Sequence, residues 1–456
     1  MSIWAFYRYH TYTRNRSFNV LHRGAALFQQ YMVDIWLSIE MHRLEYFRFN
    51  QQKLRADLYD TARRQLLGDQ DVATTGRRIV LPATFAGGVR HMQCSYQDSM
   101  AIVRTLGKPG YFITFTANPN WEEIQAELLT DDEGNKMQST RDRPDLVARV
   151  FKMKHDDLIR DLKSNNVLGE YVAHVSVIEY QKRGLPHSHT LLWVKHPPNT
   201  PERIDDVICA EIPDVAGPGG QILHDVITKN MMHRPCGDHN PNSPCMRDGH
   251  CKSRYPKAFT DTTVLQGDSY PIYRRRDGPR ITIHHPHPSS SMSVGNEWVV
   301  PYNPYLCLKY QSHINVEACQ GLGTVKYIHK YMHKGPDRAT VEFDTGPNEI
   351  QQYVSGRYIG SMEAAWRIFK NEVHEHYPSV KALVVHLPGR HMVTYRDEGS
   401  AAQILENIES GVTELMAFFT YNAAHPDVNR LFQDFPRFFT WSKYVHLFVS
   451  RIMVDS

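Results

Sequence analysis

Two histidines one residue apart are the first feature of this sequence that could do chemistry. His187 and His189 flank Ser188 at the end of Gln181-Lys-Arg-Gly-Leu-Pro-His-Ser-His189. Residues two apart in a strand project from the same face, so both imidazoles stand side by side. Two neutral imidazoles at that spacing can hold one divalent ion if a neighbouring strand supplies a third ligand. Glu179 and Gln181 precede the turn, share one face of the preceding strand and lie across the hairpin from the pair. Either oxygen would complete the site. The plain alternative is a pair of surface or hydrogen-bonded histidines.

A second constellation is Gly323-Thr-Val-Lys-Tyr-Ile-His-Lys-Tyr-Met-His-Lys-Gly335, which lacks a helix breaker until Gly335-Pro336. Tyr327 and Tyr331 are four apart and share a helix face, with Lys326, Lys330 and Lys334 recurring along its flank. A phenol with a pKa of about 10 is a poor nucleophile. Beside a cation and a metal-polarised phosphate it becomes a useful one. Packing tyrosines are the bland alternative.

The third is His233-x₂-Cys236-x₈-Cys245-x₅-Cys251, within a Pro/Asn/Gly-rich insertion at about 224–260 that has too little apolar content to bury a core of its own. A tetrahedral zinc would tie such a segment together. His239 or His250 could replace one ligand, and free thiols in a loop are the alternative. Cys94, Cys209, Cys307 and Cys319 stand apart and read as small hydrophobes. Arg274, Arg275, Arg276 and Arg280, beside Tyr273 and near His284, His285 and His287, could follow a phosphate backbone or form a polar surface loop.

These residues need a scaffold. Tyr111 to Thr116 is β-branched and aromatic between Pro109-Gly110 and Asn118-Pro119, so it predicts a strand. A charged helix is expected over 144–165, and strands over 171–180 and 187–194. The last two are joined too tightly to be anything but antiparallel. Strands alternating with helices without a glycine-rich phosphate turn predict an α+β antiparallel sheet. Residues 1–80 read as helical, with Phe28, Met32, Ile35, Trp36, Ile39 and Leu44 at helical steps and Leu54, Leu58 and Leu66 continuing them. A core built on this sheet is expected over 81–335. An accessory α/β segment is expected over 336–456, with a strand at 381–387 and a helix at 360–373.

The 456 residues suffice for about three domains of roughly 150 residues. With 41% apolar and 22% charged residues the chain can bury a sizeable core. The 52 basic and 49 acidic residues leave a net charge of +3, so any polyanionic partner must meet a local patch. Mean hydropathy of −0.49 and the lack of a long apolar run exclude a spanning helix. Absence of a signal-like start and the seven cysteines, an odd count, point to the cytosol or nucleus. No Gly-x-x-x-x-Gly-Lys-Ser/Thr occurs, so a P-loop motor is not expected in this chain.

Taken in order, the motifs resemble those of the Rep nuclease region of Helitron transposases, the Helitron helicase-like domain of eukaryotic rolling-circle transposons. The resemblance is carried by Phe112-Ile-Thr-Phe-Thr-Ala-Asn-Pro-Asn-Trp121 and Glu179-Tyr-Gln-Lys-Arg-Gly-Leu-Pro-His-Ser-His189. It continues through Val299-Val-Pro-Tyr-Asn-Pro-Tyr305, His313-Ile-Asn-Val-Glu317 and Val325-Lys-Tyr-Ile-His-Lys-Tyr331, and runs from about residue 7 to Trp441. It implies an HUH endonuclease of the two-tyrosine subclass acting on single-stranded DNA in the nucleus. His187 and His189 would be metal ligands, completed by Gln181 or Glu179, with Mg²⁺ or Mn²⁺ bound. Tyr327 and Tyr331 would be paired nucleophiles, Lys330 would assist, and Lys326, Lys334 and Arg274 to Arg276 would contact DNA. His233, Cys236, Cys245 and Cys251 match a cysteine-containing insertion of the family, with structural Zn²⁺ implied.

Three departures stand out. Ser188 replaces the bulky residue usual between the histidines, no helicase follows, and the sequence after Trp441 loses the likeness. A separate helicase would then have to open the DNA. The competing expectation is a decayed or domesticated remnant that binds single-stranded DNA without cutting it.

Overall fold

The computed structural model describes residues 1–14, 18–51, 54–67, 77–78, 81–180, 184–216, 219–267, 270–284, 291–321, 349–354, 357–396, 400–427, 430–442 and 447–450. The described residues gather into two compact units. Those within Met1–Ile39, Ser95–Asp337 and Tyr358–Pro378 form the first, and those within Glu40–Cys94, Arg338–Arg357 and Ser379–Ser456 the second. These units cut across the linear division at residues 80 and 335, because the helical start of the chain buries Phe28, Met32, Ile35, Trp36 and Ile39 in the core of the first unit.

That unit is built on a five-stranded sheet: β1 Tyr111–Thr116, β2 Tyr171–Tyr180, β3 Pro186–Val194, β4 Ile314–Ala318 and β5 His374–Tyr377. The order is β4-β1-β3-β2-β5, and every pair is antiparallel. The α+β class and the strands expected at 111–116, 171–180 and 187–194 are therefore present. The strand β3 lies at the centre, and all nine of its side chains are buried.

One face of the sheet builds the core. Ile113 and Phe115 of β1, Leu192 and Val194 of β3, and Ile314 and Val316 of β4 join the same apolar cluster as α1 Pro144–Lys163 and α2 Ser361–Ile368. Phe115 stacks on Phe151 at 5.2 Å, and Phe151 meets Trp366 at 6.0 Å. Truncating a ring so placed to Ala typically costs about 3–5 kcal/mol.

α1 begins with Pro at its first turn and Asp145 just inside, where the helix dipole favours an anion. Arg143 grips that buried carboxylate through Nε at 3.0 Å and Nη2 at 2.9 Å. Farther along, Lys309 reaches Asp157 at 2.8 Å and Asp161 at 2.7 Å, fixing the helix to the segment that leads into β4.

The second unit carries a sheet of Leu54–Leu58, Arg77–Arg78 and Met392–Arg396, so the helix expected through Leu54 and Leu58 is a strand there. Its partner is more than 300 residues away in sequence, and local periodicity cannot register such pairing. The strand expected at 381–387 does not form either. That stretch has no ladder partner, and Val384, Val385 and Leu387 are exposed. The helix expected at 360–373 is Ser361–Ile368. Among the described residues no helix is long and apolar enough to cross a membrane.

Candidate metal centres

Register decides what faces the histidines. In β3, His187 and His189 project from the face opposite the core. Thr116 is paired with His187 and Thr114 with His189 across β1, while Glu179 faces His187 and Val177 faces His189 across β2. The two imidazole centroids lie 4.6 Å apart.

Thr116 Oγ1 is 2.5 Å from His187 Nδ1, and Thr114 Oγ1 is 3.2 Å from His189 Nδ1. Both hydroxyls thus hold the Nδ1 side of a ring and leave Nε2 as the ligand-bearing nitrogen. His189 Nε2 lies 3.2 Å from Glu179 Oε2. Adjacent ligands of an octahedral shell with bonds of about 2.1 Å stand roughly 3 Å apart, so this oxygen and nitrogen fit neighbouring positions around one ion. Phe112 stacks against His189 with its ring 5.6 Å away and nearly parallel.

Burial, reinforced by His189 and His313, pulls the pKa of His187 down to about 3, against a weaker opposite effect of Glu179. At neutral pH the ring is therefore uncharged and its lone pair is available to a metal. The donor set is two imidazoles and a carboxylate, chemistry that suits a divalent ion.

Gln181, the other oxygen considered, lies outside the described residues, as do Lys326, Tyr327, Lys330, Tyr331 and Lys334. The threonines were missed in the sequence. Their signal was alternation, since Thr114 and Thr116 are two apart in the strand already expected, but only the register places them beneath the histidines.

The Cys/His segment closes on itself. The ligand atoms of His233, Cys236, Cys245 and Cys251 all lie within 4.8 Å of one another. His233 Nε2 is 3.7 Å from Cys236 Sγ and 3.6 Å from Cys251 Sγ. A tetrahedral zinc with bonds of about 2.3 Å to sulfur and 2.0 Å to nitrogen puts those atoms roughly 3.5 Å apart. The two His233–sulfur distances match that spacing, and the four residues could hold such an ion without His239 or His250.

Local geometry explains how an irregular spacing converges. Met246–Arg247 and His250–Cys251 form a two-residue hairpin whose Asp248 and Gly249 have φ of 51° and 77°. Positive φ at both positions is what such a tight turn demands. Lys252 N donates to Cys245 O at 2.8 Å, closing the loop that carries two of the sulfurs. His233 is clamped from outside by Tyr255, stacked at 4.1 Å, and its pKa is pulled down to about 4 by burial.

The arginine cluster behaves differently from the phosphate-tracking expectation. Arg275 is buried, and its Nη1 donates to the carbonyls of Ala210, Asn296 and Val299, which leaves it pinning backbone and not facing solvent. Arg276 holds Glu211 at 2.6 Å, Arg274 holds Asp205 at 3.1 Å, and Arg280 holds Glu297 at 2.8 Å. Of the isolated thiols, Cys307 and Cys319 are buried and Cys209 is half-buried, while Cys94 is exposed.

The unit is thus of α+β class, with a His-x-His pair beside a carboxylate and a separate His/Cys₃ cluster that could hold a metal ion. Residues 6–192 match the family model for the Helitron helicase-like domain at N-terminus. That range contains β1, β2 and β3 as far as Leu192, including Glu179, His187 and His189, and it points to a Helitron-related transposase. No curated protein matches the chain.

Proposed function

We propose that the protein is a metal-dependent, single-strand-specific DNA nicking and joining enzyme of a Helitron-type rolling-circle transposon. The observation that carries this reading is the convergence of His187, His189 and Glu179 on one face of the central strands, with both imidazoles steadied through Nδ1 by threonine hydroxyls. The family match over the same strands supports it.

His187, His189 and Glu179, with Gln181 as the alternative oxygen donor, would hold Mg²⁺ or Mn²⁺. When bound, the ion supplies Lewis-acid polarisation of the scissile phosphate. Tyr327 or Tyr331 would act as nucleophile: the phenol gives up its proton as its oxygen bonds to phosphorus, the bond from phosphorus to O3′ breaks, and the departing O3′ takes up a proton. The products are a 5′-phosphotyrosine and a free 3′-hydroxyl. Rejoining reverses these bonds and needs no nucleotide triphosphate, because the phosphodiester energy is kept in the adduct. Two tyrosines permit a second transfer before the first strand is released, and Lys330 would offset phosphate charge. His233, Cys236, Cys245 and Cys251 would bind structural Zn²⁺.

The test is incubation of the purified chain with labelled single-stranded oligonucleotides and Mn²⁺, followed by a denaturing gel. A labelled band retarded by the mass of the protein is expected, absent with EDTA and absent from the Tyr327→Phe/Tyr331→Phe double variant. Absence of any adduct over varied sequences, from folded protein that still takes up Mn²⁺, would replace this reading with that of a non-cutting remnant.

A further inference from the structure

Next to the histidine pair lies a cleft of about 650 Å³, formed between the face of β4 and β1 and the residues that follow the Cys/His hairpin. Its contents differ from those of the metal site. Lys252, Arg254 and Lys257 come from the chain leaving Cys251, while Asn315 and Glu317 come from β4. Phe112 belongs to both places, lining the cleft with one side of its surroundings and stacking on His189 with the other. The cleft thus adjoins the histidine pair through Phe112.

Its polar groups fall into two sets. Lys252 and Arg254 are exposed, and no carboxylate among the described residues comes within ion-pair distance of them. Lys257 sits over the Tyr255 ring at 5.0 Å. Arg254 has φ of 56°, and its N–H donates to Cys251 O at 2.9 Å, so the metal-binding hairpin itself sets the direction of this basic stretch. Cations beside aromatic rings are the usual means of holding a single-stranded phosphate backbone.

The second set consists of acceptors. Asn315 Oδ1 and Glu317 Oε2 are buried from solvent and these two atoms accept no hydrogen bond from the described residues, while the Glu317 carboxyl as a whole is faced by the Tyr273 hydroxyl, Arg275 and Lys257. Asn315 Nδ2 approaches Glu317 Oε1 at 3.4 Å, which orients the amide and leaves its oxygen free. Buried acceptors without donors are costly, and a ligand that brings N–H groups removes that cost. Among nucleobases, adenine, cytosine and guanine carry an exocyclic amino group whose two N–H bonds can serve two acceptors, whereas thymine and uracil bring a single ring N–H between carbonyls.

We infer that this cleft is a base-reading subsite that takes one unpaired nucleotide beside the scissile phosphate and selects an amino base (cytosine, adenine or guanine) over thymine and uracil through Asn315 and Glu317, while Lys252 and Arg254 hold its phosphate. The inference rests on the proposed single-stranded DNA substrate.

The decisive probes change the pairing edge of the base. Fluorescently labelled twelve-residue oligonucleotides of deoxycytidine and deoxyuridine differ in amine against carbonyl and in the ring nitrogen beside it, which is an acceptor in cytosine and carries one N–H in uracil; those of deoxyadenosine and deoxyinosine differ in the same way. Binding to the zinc-loaded full chain is followed by anisotropy without added Mg²⁺ or Mn²⁺. The amino member of each pair is expected to bind at least about fivefold more tightly. Asn315→Ala/Glu317→Ala should bring each pair within about twofold without weakening the deoxyuridine oligonucleotide. Lys252→Ala/Arg254→Ala should weaken all four and lower the salt slope by about 1–2.

Equal affinities within both pairs, measured on the unaltered chain, would overturn the base-reading subsite while leaving the single-stranded DNA reading intact. Failure of all four oligonucleotides to bind would overturn both. Because the first comparison needs no substitution, a variant that failed to fold would not protect the inference.

Discussion

At the scale of single residues, the histidine pair was legible and its support was not. The strand periodicity alone puts His187 and His189 on one side. The partners depend on which residues of β1 and β2 lie opposite, and a shift of one residue would exchange Thr114 and Thr116 for Ile113 and Phe115 or for Phe115 and Ala117. The two hydroxyls give a prediction that the histidines cannot. Thr116→Val preserves the shape and the strand propensity but removes the hydrogen bond to Nδ1. Losses of such outer partners typically weaken metal affinity by about 10–100-fold. Isothermal titration of Mn²⁺ into Thr116→Val should show a loss of that order with an unchanged circular dichroism spectrum. His187→Ala/His189→Ala should abolish the heat of binding. An unaltered Mn²⁺ affinity in Thr116→Val would mean that the hydroxyl does not orient the ring.

At the scale of elements, the strands around the site were readable because their β-branched and aromatic runs are bounded by turn residues. The cysteine insertion was readable as a ligand set but not as a shape, since convergence needs the positive φ of Asp248 and Gly249 and the clamp of Tyr255 on His233. The pinned role of Arg275 was invisible for a related reason: three consecutive arginines look like a surface patch until the carbonyls around the middle one are known. If a zinc ion ties this segment together, elemental analysis of the purified chain should find one zinc per molecule. Cys251→Ala should drop that to well below one and leave Trp298, which belongs to the small apolar cluster with Cys236, in a more solvent-accessible environment seen as a red shift of its emission. The five-stranded sheet should survive, because its core shares none of the four ligands. Retention of a full zinc equivalent in Cys251→Ala would show that the ion sits elsewhere.

At the scale of the whole molecule, the α+β class was within reach of the sequence, but the strand from 54 to 58 and its distant partner were not, because long-range pairing leaves no local period. The buried imidazoles make one property of the folded chain measurable without any substrate. His155 is buried against Ser176, 3.1 Å away, on the core side of the sheet, and burial pulls its pKa down to about 4. His187 and His233 are lowered to about 3 and about 4, again chiefly by burial. Each ring has an unfolded pKa near 6.5, so below that value the unfolded chain binds more protons than the folded one. The corresponding stability is present above pH 6.5 and is lost as the pH falls toward the folded values. Between pH 6.5 and 5 ordinary carboxylates remain ionised in both states, so the imidazoles dominate the slope. Each contributes about 1 kcal/mol per pH unit there. Six of the seven tryptophans, all but Trp441, lie in the first unit, so urea melts followed by tryptophan emission report on it. His22 and His313 of the same unit are lowered by burial as well, so the midpoint should fall steadily from pH 6.5 to 5, and His155→Gln should flatten part of the decline. A midpoint independent of pH over this range would overturn this reading and mean that the rings are as readily protonated in the folded chain as in the unfolded one.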